Sequence, residues 1–158
     1  MEKPVFSVRK AKPEEWETAM ELVWKTFLKF EAADYGEVGT KNFLEFISGE
    51  QLYKMFLNGD YSVWVALNGS KIVGVSSLRA GSHISLLFVE ESYQRMGVGR
   101  LLIKTMQESL AENGSVKLTV NSSPYGEEFY HKLGFTDVKE RQSTDGIIYT
   151  PMILLKRI

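Results

Sequence analysis

Hydrophobic and polar positions along this chain switch between a two-residue and a 3.6-residue rhythm. Val5 to Arg9 alternates and is expected to be a first strand. Pro13-Glu14-Glu15 then reads as a helix start, with proline and acids in the first turn. Trp16, Ala19, Met20, Val23, Phe27 and Phe30 follow at helical spacing and give one buried stripe. Glu31 to Thr40 contains Gly36 and Gly39, breaks the rhythm, and is expected to be a loop. Lys41 to Phe56 predicts a second helix, interrupted near Gly49 and closed by Asn58-Gly59-Asp60.

The second half of the chain returns to strands. Tyr61 to Leu67 and Ile72 to Arg79 are β-rich runs around Asn68-Gly69, a strong hairpin signal. After a turn at Gly81-Ser82, His83 to Val89 is a further strand. A helix from Met96 or Gly97 to Glu112 carries Val98, Leu101, Leu102, Thr105, Met106 and Ser109 on one face, and Asn113-Gly114 ends it. Val116 to Val120 is a short strand. Ser123-Pro124 opens a last helix, Tyr125 to Leu133, capped by Gly134. Phe135 to Arg141 and Ile147 to Leu155 are expected to close the fold as a hairpin around Asp145-Gly146. The order β-α-α-β-β-β-α-β-α-β-β predicts one mixed α/β (α+β) domain over residues 1–158. Its central sheet would have about seven strands, with helices on both faces.

Composition narrows the function. The 158 residues suit one core, and 44% apolar with 25% charged residues is ordinary for a soluble globular protein. A net charge of −1 offers no basic excess for nucleic acid. The absence of cysteine excludes disulfides, thiolate metal sites and a cysteine nucleophile. Two isolated histidines predict no metal site. No leader and no stretch of ~20 apolar residues is visible, so a cytoplasmic protein that does not engage a membrane is expected. The Asn-x-Ser sequons at Asn68, Asn113 and Asn121 are then chance.

The chemistry gathers in one unit. His83 to Val120 reads as strand, glycine turn, helix and strand, which implies two parallel neighbours joined by a right-handed crossover. The turn is Gln94-Arg95-Met96-Gly97-Val98-Gly99-Arg100. It lies at the carboxyl end of the first strand, where open α/β sheets bind ligands. A helix start exposes unpaired N–H groups and favours an anion by about 0.3–2 kcal/mol per interaction. Arg95 and Arg100 add charge. A dinucleotide fingerprint fails, because Leu102 stands where its third glycine belongs and no acid follows about 20 positions on. A P-loop fails too, since no Gly-Lys-[Ser/Thr] occurs. A glycine turn that merely starts a helix remains the plain alternative.

The neighbours of the turn carry a family resemblance. Gln94-Arg95-Met96-Gly97-Val98-Gly99 matches [Q/R]-x-x-G-x-[G/A], Leu87-Phe88-Val89 precedes it, and Phe129-Tyr130-His131-Lys132-Leu133-Gly134-Phe135 follows. Together with the element order, these resemble the GNAT superfamily of acyl-CoA-dependent N-acetyltransferases. The resemblance implies that the two parallel strands splay at a bulge and admit the pantetheine arm of acetyl-CoA. Leu87, Phe88 and Val89 would line and pair with that arm. The amides of Arg95, Met96, Gly97, Val98, Gly99 and Arg100, with Gln94, would hold the pyrophosphate, and Asn121 would bond the arm. Amides of the first strand would stabilise the oxyanion.

The implied reaction is direct attack of an amine on acetyl-CoA, with Tyr130 as general acid for the leaving thiolate. An aromatic packing residue is the alternative for Tyr130. The strand carries no carboxylate to serve as base. His83 and Ser85 stand there instead as candidate catalytic residues, on one face with Leu87 and Val89 by alternation, with His83 able to accept a proton. A strand-end histidine is the alternative, and ordered water or an already neutral amine would make a side-chain base unnecessary. His131 reads as surface. The acceptor would be a small-molecule or peptide amine, met by the first two helices, their loop and the last hairpin. Those hold Phe27, Phe30, Glu31, Asp34, Tyr35, Glu37, Tyr149 and Thr150, acids and aromatics that suit a cationic amine. A monomer or homodimer is expected. A non-catalytic acyl-CoA sensor on the same fold is the competing reading.

Overall fold

The computed structural model describes residues 4–112, 114 and 117–155. The alternating first segment forms β1 (Phe6–Lys10), and Pro13–Glu15 makes a 3-10 turn into α1 (Trp16–Phe30). The Arg9 guanidinium holds both carboxylate oxygens of Glu15 at 2.8 and 2.9 Å, and the Lys12 N–H donates to the same carboxylate at 2.8 Å. One acid thus caps the helix start and pins it to β1. Of the anticipated stripe, Trp16, Ala19, Met20, Val23 and Phe27 are buried and Phe30 is half-buried.

The stretch read as a loop is helical. α2 runs Ala32–Ser48 and α3 runs Glu50–Leu57, broken at Gly49 as anticipated. Gly36, at φ +69° and ψ −179°, is not helical and interrupts α2, so a break stands at this glycine within an otherwise helical stretch. Gly39 has a packing reason instead. A Cβ there would stand 2.9 Å from Cγ1 of Ile147, so glycine lets the last hairpin approach. Of the two signals taken as loop chemistry, one is a break at a single residue and the other a close contact within a helix.

The strands β2 (Ser62–Asn68), β3 (Lys71–Arg79), β4 (His83–Val89) and β5 (Lys117–Ser122) follow, with α4 (Val98–Glu112) between the last two. Asn113 and Val116, parts of the expected cap and strand, lie outside the described residues. Pro124–Gly126 is a 3-10 turn leading into α5 (Glu127–Lys132). The expected strand Phe135 to Arg141 shrinks to β6 (Thr136–Asp137), which pairs with Ile153 and Met152 of β8, and the exposed residues 138–141 form no strand. The hairpin partner at Asp145-Gly146 is β7 (Gln142–Thr144), against β8 (Ile147–Leu155). Asp145 and Gly146 both have positive φ, as a tight type I′ hairpin requires.

The eight strands form a mixed sheet in the order β1-β2-β3-β4-β5-β8-β6, with β7 also on β8. α1, α2 and α3 cover one face over Val63, Val65, Val75, Leu86 and Phe88. α4 and α5 cover the other over Trp64, Ala66, Ile84, Leu118 and Val120. Gly74 on β3 lets α4 sit close, since a Cβ there would meet Val98 at 2.9 Å.

Candidate active site

The site begins where the sheet opens. Among the described residues, β4 and β5 pair in parallel at only two positions, His83 with Thr119 and Ile84 with Val120. Beyond Ile84 the facing edge of β4 has no strand beside it. The cause lies in the β3–β4 register: Ser77 pairs with Leu86 and Leu78 with Ile84, so Ser85 is an extra residue, a β-bulge. The bulge also inverts the alternation. Ile84 packs under α4, whereas Leu86 and Phe88 pack under α1 and α2. Leu87 and Val89 therefore lie on the α4 face, opposite His83 and Ser85, which corrects the common face expected from alternation. No local sequence signal marks the extra residue.

His83 and Ser85 are both engaged at the closed end of the opening. His83 Nδ1 lies 2.9 Å from Thr119 Oγ1, a tie across the only paired stretch. Burial, with the nearby Arg79 charge, pulls its pKa down, so the ring is neutral near pH 7. Ser85 accepts from the Tyr61 hydroxyl at 3.0 Å, and Tyr61 also meets Ser77 at 2.6 Å.

Below the open edge, Gln94 Nε2 donates to the Val89 carbonyl at 3.0 Å, and its Oε1 accepts from the Tyr125 hydroxyl at 2.6 Å. Gln94 so joins the end of β4 to the connection after β5. Arg95 and Gly97 both have positive φ, which turns the chain into α4. The first backbone bond of that helix runs from Leu101 N–H to the Gly97 carbonyl at 3.0 Å. The amides of Val98, Gly99 and Arg100 precede it and have no acceptor within the helix. Arg95, Met96 and Arg100 are exposed around this rim, while Val98 is buried in the core. Gly99 serves packing: a Cβ there would stand 2.9 Å from Cζ of Phe129. The turn is thus a donor-lined concavity with two cations, suited to a phosphate. Asn121 is exposed on β5 just past the paired stretch, opposite Pro151 of β8.

The far wall comes from the helical layer. Phe30 stacks on Tyr125 at 4.8 Å and 19°, which fixes the end of α1 against the chain after β5. Glu31, at the α1–α2 junction, is half-buried and hydrogen-bonded to Ser123. Tyr130 is buried, its ring edge-on to Phe129 and Phe135 at 5.2 and 5.1 Å. Burial pushes its phenol far above the ordinary range, and the nearby Glu31 and Tyr35 push further. Burial, then the Glu31 charge, takes Tyr35 up to about 12.

Glu31 and Tyr35 are thus gathered near Tyr130, and Phe30 lies against Tyr125. Phe27 is instead fully buried, stacked on Phe43 at 4.2 Å and edge-on to Tyr35 at 4.7 Å. Thr150 is buried and donates to Glu127 at 2.5 Å, and Arg141 grips the same carboxylate. Tyr149 is half-buried beside it on β8, while Glu37 is exposed on α2. His131 is paired with Asp137 at the surface. Ser123, Tyr125 and Glu127 escaped sequence reasoning; the Ser-Pro helix start was the one local signal near them. Among the described residues, no group of three or more His, Asp or Glu side chains is placed to hold a metal. No helix there is long and apolar enough to cross a membrane.

Comparison with known proteins agrees with this architecture. Residues 31–156 match the family model described as an acetyltransferase (GNAT) domain. An uncharacterised N-acetyltransferase of Escherichia coli (strain K12), YafP, is 36% identical over 80 residues, covering 51% of this chain and 49% of that protein. A glucosamine 6-phosphate N-acetyltransferase of Trypanosoma brucei brucei is 37% identical over 82 residues, covering 46% and 55%. The chain spans about half the length of these curated relatives. The crystal structure of a GCN5-related N-acetyltransferase from Rhodopseudomonas palustris superposes with a TM-score of 0.81 at 25% identity, covering 98% of this chain and 97% of that one. A PaiA N-acetyltransferase from Thermoplasma acidophilum, solved with coenzyme A, shares the fold at TM-score 0.79 and 20% identity, covering 96% and 99%. The splayed parallel pair, the donor-lined turn beneath it and the match across residues 31–156 agree: the chain belongs to the GNAT family of acetyltransferases.

Proposed function

We propose that this protein transfers an acetyl group from acetyl-CoA to a primary amine of a small molecule or peptide, by direct attack. The observation that carries the proposal is the two-position pairing of β4 with β5. It leaves the β4 edge from Ser85 to Val89 without a neighbouring strand, and the turn that Gln94 ties to Val89 presents the amides of Val98, Gly99 and Arg100. An extended pantetheine arm can bond that edge as a further strand would, while its pyrophosphate meets the helix start.

In this reading Leu87, Phe88 and Val89 flank the arm, and Asn121 bonds it from the opposite strand. Gln94 holds the end of β4 and the turn in register. Arg95, Met96, Gly97, Val98, Gly99 and Arg100 form the pyrophosphate cradle. Tyr130 supplies the proton to the leaving thiolate. Its burial keeps the phenol protonated at any physiological pH, as a donor must be. His83 and Ser85 set the opening at its closed end. Phe30, Glu31, Tyr35 and Tyr149 meet the acceptor, and Phe27 backs Tyr35. One such domain acts in the cytoplasm, where acetyl-CoA is available.

Thermal unfolding with acetyl-CoA or ATP added separately tests the donor. Stabilisation by acetyl-CoA is expected, and stabilisation by ATP alone overturns the reading. Thiol release over a panel of primary amines tests turnover. Binding of acetyl-CoA with no thiol release from any amine makes the protein an acyl-CoA sensor. Tyr130→Phe is expected to lower turnover about 10²-fold or more with acetyl-CoA affinity retained. Unchanged turnover refutes the acid role.

A further inference from the structure

Glu31 is a half-buried carboxylate without a cation. Its backbone is fixed: the N–H donates to the Phe27 carbonyl at 2.8 Å, and its own carbonyl accepts from the Asp34 N–H at 2.9 Å. Its side chain faces Ser123 and Tyr125 on the connection after β5, Tyr130 on α5, and Asp34 and Tyr35 on α2. The basic side chains nearby do not pair with it. Lys29 pairs with Glu91, Arg141 is bonded to Glu127, and Arg95 lies beside Tyr125. Among the described residues no ion pair includes Glu31. Withdrawing a carboxylate from water with no cation, beside a second acid, opposes folding. Such a group either takes a proton or receives a cation.

We infer that Glu31 is the general base of the transfer, receiving a primary aliphatic ammonium at the mouth of the β4–β5 opening and taking its proton. The inference rests on the acetyl-transfer reading and names the acceptor class, an amine that is cationic at neutral pH. The protons balance. The ammonium gives one proton to Glu31, and the freed nitrogen forms the C–N bond to the thioester carbon. The C–S bond breaks, and the thiolate takes the Tyr130 proton. The second proton, lost from nitrogen as the amide forms, restores the phenol. Glu31 releases its proton to solvent. Burial, with the Asp34 charge adding and the Ser123 hydrogen bond opposing, takes the Glu31 carboxyl up to about 7, where a base is half ready at neutral pH. β4, the strand below, carries no carboxylate that could compete for the role.

The test is the pH profile of kcat/KM for one amine from the panel, in wild type, Glu31→Gln and Ser123→Ala, with acetyl-CoA affinity measured by calorimetry in each. Wild type is expected to rise through a limb near pH 7. Glu31→Gln should lose 10²- to 10⁴-fold at pH 7 and move its limb to the pKa of the free amine, with acetyl-CoA affinity within about twofold of wild type. Ser123→Ala removes the bond that favours the ionised carboxylate, so its limb should move to higher pH. Glu31→Gln turnover within threefold of wild type, with the limb unmoved, overturns the inference alone. Loss of acetyl-CoA affinity in Glu31→Gln together with an unmoved limb in Ser123→Ala also overturns it. No thiol release from wild type with any amine overturns the proposed function and this inference together.

Discussion

Gly97 and Gly99 sit two residues apart in one motif and are glycine for different reasons. Gly97 has φ +86° and open space around it, so its requirement is conformational. Gly99 would collide with Phe129, so its requirement is packing. Gly97→Ala should cost about 1–2 kcal/mol through left-handed strain. Gly99→Ala should cost about 1–3 kcal/mol through overpacking. Urea unfolding separates them: Phe129→Ala should recover much of the Gly99→Ala loss and none of the Gly97→Ala loss. Equal coupling of both to Phe129 would show the distinction false. Glu31 carries a second prediction at this scale. Its folded pKa of about 7 lies above the ordinary 4.5, so the folded state loses stability as pH rises from 4.5 through 7. Glu31→Gln should therefore raise the melting temperature at pH 8 and leave it unchanged at pH 4, where wild type is already neutral. Thermal unfolding at the two pH values reads this directly. A Glu31→Gln variant that melts lower at pH 8 would mean that the carboxylate stabilises the fold.

At the scale of elements, the start of α1 depends on β1 through one side chain. The Arg9 guanidinium, opposed by partial burial and aided by the Lys12 N–H, holds the Glu15 carboxyl down to about 2. The sign is the reverse of Glu31. The contribution is full above pH 4.5 and is lost as pH falls toward 2. Glu15→Gln should cost about 1 kcal/mol at pH 7, because the pair is bidentate but partly exposed. The difference from wild type should vanish near pH 2 in denaturant titrations; a constant difference would point to packing instead. The same scale shows how elements can mislead. Phe135 to Arg141 reads as one strand of the closing hairpin, yet only Thr136–Asp137 pairs with β8, and the exposed residues 138–141 form no strand. Gly36 and Gly39 read as loop, yet only Gly36 leaves the helical conformation, while Gly39 stays helical and lets α2 approach Ile147 of β8.

At the scale of the molecule, the opening between β4 and β5 is where the two helical layers meet. Tyr130 belongs to the core under α4, and Glu31 and Tyr35 belong to the layer of α1 and α2, yet they lie near one another. Ligand entry at this seam predicts a local signature. Amide hydrogen exchange in residues 85–89 and 97–100 should slow when acetyl-CoA is added, whereas β1 and β2, on the far edge, should be unchanged. Slowing spread evenly over the sheet would argue against entry at the seam.

Local chemistry was enough for much of this. The bounds of β4, the break at Gly49, the turn at Asp145-Gly146 and the helix after Gly97 follow from periodicity and turn residues, which act over a few positions. The motif at Gln94 to Gly99 with its neighbours identified the family, because its constraints lie within one strand–turn–helix. The sequence by itself did not determine the bulge at Ser85, since an extra residue appears only when β3 is aligned with β4. Nor did it determine that Leu87 and Val89 face away from His83, which follows from that bulge. The pairing of β4 with β5 at two positions, and the meeting of Glu31 with Ser123, Tyr125 and Tyr130, join residues far apart in the chain. Desolvation, which gives Glu31 and Tyr130 their acidities, belongs to the assembled surroundings, and only the tertiary structure decides those.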